Sequence, residues 1–139
     1  MKDLYNNLTV RPVIAPAVNT DLGTTPLVGA IIDHLSYDSA VYAISTGTLS
    51  DLDATYAVLL EESNESDMDP ANAVADVDLH GTEAAAGFTF ANDGVVRKLG
   101  YKGSKRYTRL TITPTGANSG NSPISAVVIL GHPSVAPVA

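Results

Sequence analysis

The sequence predicts an all-β protein, an antiparallel β-sandwich of jelly-roll type, on three observations. Short apolar or alternating runs recur about every ten residues, roughly eight to nine in all. Turns rich in Gly, Pro, Asn and Asp separate them, and no long stretch carries apolar residues at helical spacing. Strands of this length and number bury their inner faces by stacking two sheets. The 139 residues are expected to form one domain, with an extended N-terminal arm over 1–16 and an extended C-terminal tail over 131–139. There is no cysteine, so packing and hydrogen bonds must hold the fold, and thiolate metal sites are excluded.

The elements follow in order. Residues 8–15 alternate loosely, but Pro12 and Pro16 restrict them to an edge strand or an arm. Residues 27–32 form a short β-branched run that ends at Asp33 and His34, and residues 41–48 alternate as a second strand. Residues 54–62 fit either a helix or a strand; the Tyr-Ala-Val-Leu-Leu run between turn clusters favours the strand. Five acidic residues between Glu61 and Asp69 read as a solvated loop, and Asp69-Pro70 as the cap and first position of one helical turn over 71–75. Residues 77–79, 85–90, 95–101, 105–113 and 124–130 complete the strands, and 115–123 is a long turn. The expected core is Ile31, Ile44, Val58, Leu60, Phe88, Leu110, Ile112, Val128 and Leu130.

Charge is segregated along the chain. The net charge is −7, yet residues 12–96 hold fourteen acidic residues and no Lys or Arg, while 110–139 hold no Asp, Glu, Lys or Arg. Six of the eight basic residues fall between them: Arg97, Lys98, Lys102, Lys105, Arg106 and Arg109. Gly100 and Gly103 bracket a turn there, so 95–113 reads as a β-hairpin with Lys105, Tyr107 and Arg109 on one face. Such a band is either a solvated surface or a docking site for an acidic partner. The candidate partner-binding residues are therefore Arg97, Lys98, Lys102, Lys105, Arg106, Tyr107 and Arg109. By alternation Arg106 falls on the apolar face, so it must lie beyond the core or pair with a carboxylate.

Catalytic motifs are absent. The chain has no Gly-x-Ser-x-Gly, no phosphate-binding Gly-x-x-x-x-Gly-Lys and no Gly-x-Gly-x-x-Gly, so an enzyme is not expected. Asp76, Asp78 and His80 would share a face if extended, but a calcium-hand reading from Asp67 meets Asn72 and Asp78 where glycine and glutamate are needed. No metal or other cofactor is expected. Gly100-Tyr101-Lys102-Gly103 matches the short loop of KH domains without the helices that accompany it. Tyr101 and Tyr107 among cations would suit single-stranded nucleic acid, though the acidic front would repel phosphate. A carbohydrate-binding sandwich of a tail fibre is the other alternative, weakened by the absence of Trp. The N-terminus shows no apolar leader, and the longest apolar run, 126–130, is too short to span a bilayer, so a protein used without export is expected.

Four segments carry a likeness: Ala57-Val58-Leu59-Leu60-Glu61-Glu62-Ser63, Val77-Asp78-Leu79-His80-Gly81-Thr82-Glu83, the run from Arg97 to Arg109, and Ala126-Val127-Val128-Ile129-Leu130-Gly131-His132-Pro133. Over residues 27–133 the chain resembles the head decoration or cementing proteins of tailed bacteriophages. That resemblance implies a jelly-roll-like sandwich bound outside an HK97-like capsid shell. Its partners would be the major capsid protein and further copies of itself, as a dimer or trimer on the particle.

Overall fold

The computed structural model describes residues 3–117 and 119–138. Met1, Lys2, Asn118 and Ala139, parts of the expected arm, long turn and tail, lie outside the described residues. Ten strands run in chain order: β1 Leu8–Ala17, β2 Leu27–Asp33, β3 Tyr37–Thr46, β4 Thr55–Ser63, β5 Asn72–Ala73, β6 Leu79–His80, β7 Phe88–Thr89, β8 Val96–Tyr101, β9 Tyr107–Thr115 and β10 Ile124–Pro133. One sheet has the order β1-β10-β3-β8-β6; the other has β2-β9-β4-β5, with β7 also on β4. The antiparallel pairs are nested: β1 with β10, β2 with β9, β3 with β8 and β4 with β7. Successive long strands alternate between sheets, as when one long hairpin is rolled into a barrel-like sandwich. This is the jelly roll that the strand spacing predicted.

The core lies between the sheets. Tyr42, Ile44, Leu60, Leu99, Leu110, Ile112, Val128 and Leu130 are fully buried there. Eight of the nine expected core residues are buried, and Ile31 is the exception at 40% exposure, with Ile32 at 3% in its place. The cause is a bulge: between Val28 and Ile31, β2 advances three residues while β9 advances two, which reverses the inward parity. Gly29 suits the same corner, because a Cβ there would lie 2.6 Å from the Leu110 carbonyl oxygen and 2.7 Å from Val13.

Several local expectations are corrected. Residues 95–113 do not form a hairpin: β8 and β9 belong to opposite sheets, and the turn at 102–106 crosses between them. Turn signals mark a change of direction but do not say which sheet the next strand joins. Residues 71–75 make no helical turn; Asn72 and Ala73 pair with Glu62 and Glu61. Glu61–Ser63 accordingly belong to β4, and Met68 is buried inside the presumed solvated loop. The helix is instead α1, Glu83–Ala86, which takes the first two residues of the stretch expected as strand 85–90; Thr82 caps it by accepting a hydrogen bond from the Ala85 amide. Asp76–Asp78 form a tight 3-10 turn where a strand over 77–79 was expected.

These short elements close one edge of β4. β7 pairs with Thr55 and Tyr56, β5 with Glu61 and Glu62, and between them the Leu60 amide donates to Glu83 Oε1 at 2.6 Å. An open β4 edge would invite pairing with another chain. At the termini, residues 8–17 take the edge-strand alternative along β10, and β10 itself runs on to Pro133. Beyond it the Ser134 amide donates to the Ser36 carbonyl and the Val138 amide to the Asn6 carbonyl, so the tail lies on its own domain.

Candidate partner-binding surface

Because β8 and β9 diverge, the basic band is divided among three places. Arg97 faces inward beside Ile44 at the margin of the core, where its Nε is buried without a hydrogen-bond partner. Lys98 points outward from β8, and Lys102 and Lys105 stand on the crossing turn. Arg106 precedes β9, so it lies beyond the core as its parity required, and it also pairs with a carboxylate. Its Nε and Nη2 donate to the two Asp33 oxygens at 2.9 and 2.8 Å, and it lies 5.0 Å from the Tyr107 ring centre. The Arg106 guanidinium holds the Asp33 carboxyl below its ordinary value.

Arg109 and Glu61 occupy directly opposite positions on β9 and β4. Arg109 Nε and Nη2 donate to Glu61 Oε2 at 3.2 and 2.9 Å. The acidic partner sought for Arg109 therefore lies in its own chain. A double-mutant cycle on Glu61→Gln and Arg109→Met is expected to give a coupling of about 1 kcal/mol in urea unfolding, because the pair is half-shielded rather than buried. Additive single effects would show that the pair contributes nothing. Among the described residues, Lys98, Lys102 and Lys105 have no carboxylate within ion-pair distance.

Behind the crossing turn lies a buried polar network. Thr108 Oγ1 is hydrogen-bonded to Tyr42 Oη and, at 2.6 Å, to His34 Nε2. The His34 ring tilts against Tyr101 at 5.2 Å, and Tyr101 Oη donates to Glu62 Oε2 at 2.7 Å and accepts from the Lys105 amide at 3.0 Å. Burial, partly opposed by Asp33 and reinforced by Arg11, lowers the His34 pKa to about 4, so the imidazole is neutral at neutral pH. Burial also pushes both Tyr42 and Tyr101 up. Thr108 is 0% exposed, and its bond to Tyr42, which belongs to the opposite sheet, ties the two sheets together. Tyr101, which the single-strand alternative would need as an exposed stacking ring, is a core residue.

Among the described residues, no group of three or more His, Asp or Glu side chains is placed to hold a metal ion. The 3-10 turn at 76–78 removes the alternation that would have set Asp76 and Asp78 beside His80.

The outer faces of the two sheets differ. That of β2-β9-β4 carries the Arg109–Glu61 pair and a threonine file, Thr111 and Thr113. On the β1-β10-β3-β8 sheet, registered rows run Val10–Ile129–Val41, Pro12–Val127–Ala43–Lys98 and Ser125–Ser45–Val96. Val10, Val127 and Val96 are 54%, 37% and 67% exposed. At one end a groove of about 530 Å3 opens between Leu4, Leu8, Val41, Ile129 and Pro133, with Asp38 also in its wall. This apolar face was missed from the sequence, although it left a signal: residues 126–130 are apolar at every position instead of alternating.

Fold and surfaces define the class, a jelly-roll β-sandwich, an architecture found in viral capsid and lectin domains. No family model matches the chain, and no curated protein matches it. Among solved structures it is similar to the PBSX exported protein XepA, with a TM-score of 0.58 and 16% identity over 91% of this chain and 38% of that one. It is also similar to the VP2 subviral particle of infectious bursal disease virus, with a TM-score of 0.52 and 11% identity over 90% of this chain and 32% of that one. The xylan-binding module CBM15 has a TM-score of 0.45 and 12% identity over 96% of this chain and 95% of that one. The chain thus spans about two fifths of XepA and a third of VP2. At these identities the likeness shows the fold alone.

Proposed function

We propose that this chain is a virion structural protein of a tailed bacteriophage, a decoration or cementing protein without enzymatic activity. It binds the outer surface of an HK97-like shell and stabilises it. Its partners are the major capsid protein and other copies of itself, assembled in the host cytoplasm and carried on the capsid exterior. The observation that carries this reading is the division of the basic band. Arg106 and Arg109 are committed to Asp33 and Glu61, while Lys98, Lys102 and Lys105 stand outward and unpaired among the described residues of a chain of net charge −7. A compact basic corner on an acidic protein suits oriented contact with an acidic surface. The fold shared with a phage-derived exported protein and a capsid protein agrees with this reading, as does the sequence resemblance.

The two rivals have less support. A sugar-binding sandwich needs an exposed aromatic platform, but Tyr42, Tyr56, Phe88 and Tyr101 are buried in the core, and Tyr5, Tyr37 and Tyr107, exposed or half-buried, lie on separate elements. A single-strand binder loses Tyr101 as a stacking surface for the same reason.

Two measurements test the proposal. Mass spectrometry of purified particles should find this chain at a copy number comparable to the shell protein; absence, or the few copies of a fibre protein, would overturn it. Reversing Lys98, Lys102 and Lys105 together to Glu should weaken binding to shells lacking this protein at least about tenfold and flatten its salt dependence. Single reversals are expected to be nearly silent, since rim charges typically contribute under about 1 kcal/mol each. Unchanged binding in the triple variant returns the corner to ordinary solvated surface.

A further inference from the structure

We propose that the outer face of the β1-β10-β3-β8 sheet is a self-association surface on which a second copy of this chain docks about a two-fold axis. The proposal rests on the self-association named above and gives it a location; shell binding uses the crossing-turn lysines, with Lys98 at the margin where the two surfaces meet.

The argument begins with charge. In a two-fold contact the same patch of both copies meets, so any charge near the axis faces its own like. For a chain of net charge −7, most ways of bringing two copies together set carboxylates against carboxylates. The registered rows Val10–Ile129–Val41, Pro12–Val127–Ala43–Lys98 and Ser125–Ser45–Val96 contain none of the fifteen acidic residues. Their one charged residue, Lys98, lies at the β8 margin rather than on the central β10 and β3. The opposite sheet carries Glu61 and Arg109 on its outer face, and Asp33 at the end of β2.

Area is the second consideration. Four strands about 4.8 Å apart, contacting over four rows of about 6.7 Å (the three above and Leu8–Gly131–Ser39), offer on the order of 500 Å2 on each copy. A dimer would then hide roughly 1,000 Å2 in total, at the low end for a specific interface, so association should be reversible and concentration-dependent. The side chains fit a weak, dry contact: valines, an isoleucine, a proline and small residues on registered strands. The face also lacks the usual protection of a solvated sheet, where outward positions are polar.

The experiment is analytical ultracentrifugation of the full chain over a wide concentration range, at low and high salt. The expected result is a monomer–dimer equilibrium that strengthens with salt, because salt screens the mutual repulsion of two acidic molecules and does not weaken apolar contact. Val127→Asp, at the centre of the face, should raise the dissociation constant at least tenfold. Val41→Asp, on the neighbouring strand, should do the same, so a folding failure in one variant leaves the other to decide. Circular dichroism and thermal melting establish the fold of each. The Lys102→Glu, Lys105→Glu double variant should leave the equilibrium unchanged at high salt, where its added repulsion is screened. A protein that is monomeric throughout overturns the proposal. So does a dimer that ignores both aspartates, or one abolished at high salt by the lysine reversals alone. Shell binding by the monomeric Val127→Asp variant separates this inference from the capsid reading, since failure to dimerise leaves the contact with the shell in place.

Discussion

Ile112→Ala is expected to destabilise the protein by roughly 2–4 kcal/mol in urea unfolding, with the denaturant slope unchanged. Ile112 is fully buried on β9, the strand between β2 and β4, where it stands opposite Leu27 on one side and Val58 on the other. Truncation removes three carbon atoms from the middle of the inner face. Neither neighbouring strand can move in to fill the space, because both are held along their lengths by the β9 ladder. Val128→Ala, equally buried on β10 between Arg11 and Tyr42, is expected to be milder because fewer atoms are lost. A cost below about 1 kcal/mol for Ile112→Ala would mean that the sheets relax onto one another and that the packing is looser than described.

The second large effect is with pH. His34 has a folded pKa of about 4 against an ordinary value of 6.5, so the unfolded chain takes up a proton first as pH falls. The stability that neutral His34 contributes is full above pH 6.5, declines as pH falls through 6.5 to 4, and is lost for this group below that. The loss amounts to at most about 3 kcal/mol across the window. Asp33, held low by Arg106, destabilises the fold only at still lower pH, so the two contributions are separable. Stability measured from pH 7 to 4 should therefore fall more steeply for the wild type than for His34→Gln, whose amide can still hydrogen-bond Thr108 without taking a proton. Parallel slopes would show that His34 is solvated or already protonated in the folded protein.

The histidine also marks the boundary of what sequence reading reached. His34 was visible as a residue after a strand, but its partner Thr108 lies 74 residues along the chain and meets it only when β2 pairs with β9. Alternation along β4 and β9 determined the inward files Tyr56, Val58, Leu60 and Thr108, Leu110, Ile112, because side-chain parity is local backbone geometry. Where a bulge entered β2, the same parity rule chose Ile31 over Ile32. Thr82 and the alanines after it held a helix signal that the surrounding strand pattern obscured.

By itself the sequence determined the fold class, most strand positions, the core files and the segregation of charge, all carried by composition and by periods of two residues. The tertiary structure decided which strands are neighbours. It thereby placed β8 and β9 in different sheets, set Arg109 against Glu61 and Arg106 against Asp33, and left Lys98, Lys102 and Lys105 outward. Strand pairing between distant segments depends on how both whole sheets close over one core, and no local window of the chain contains that information.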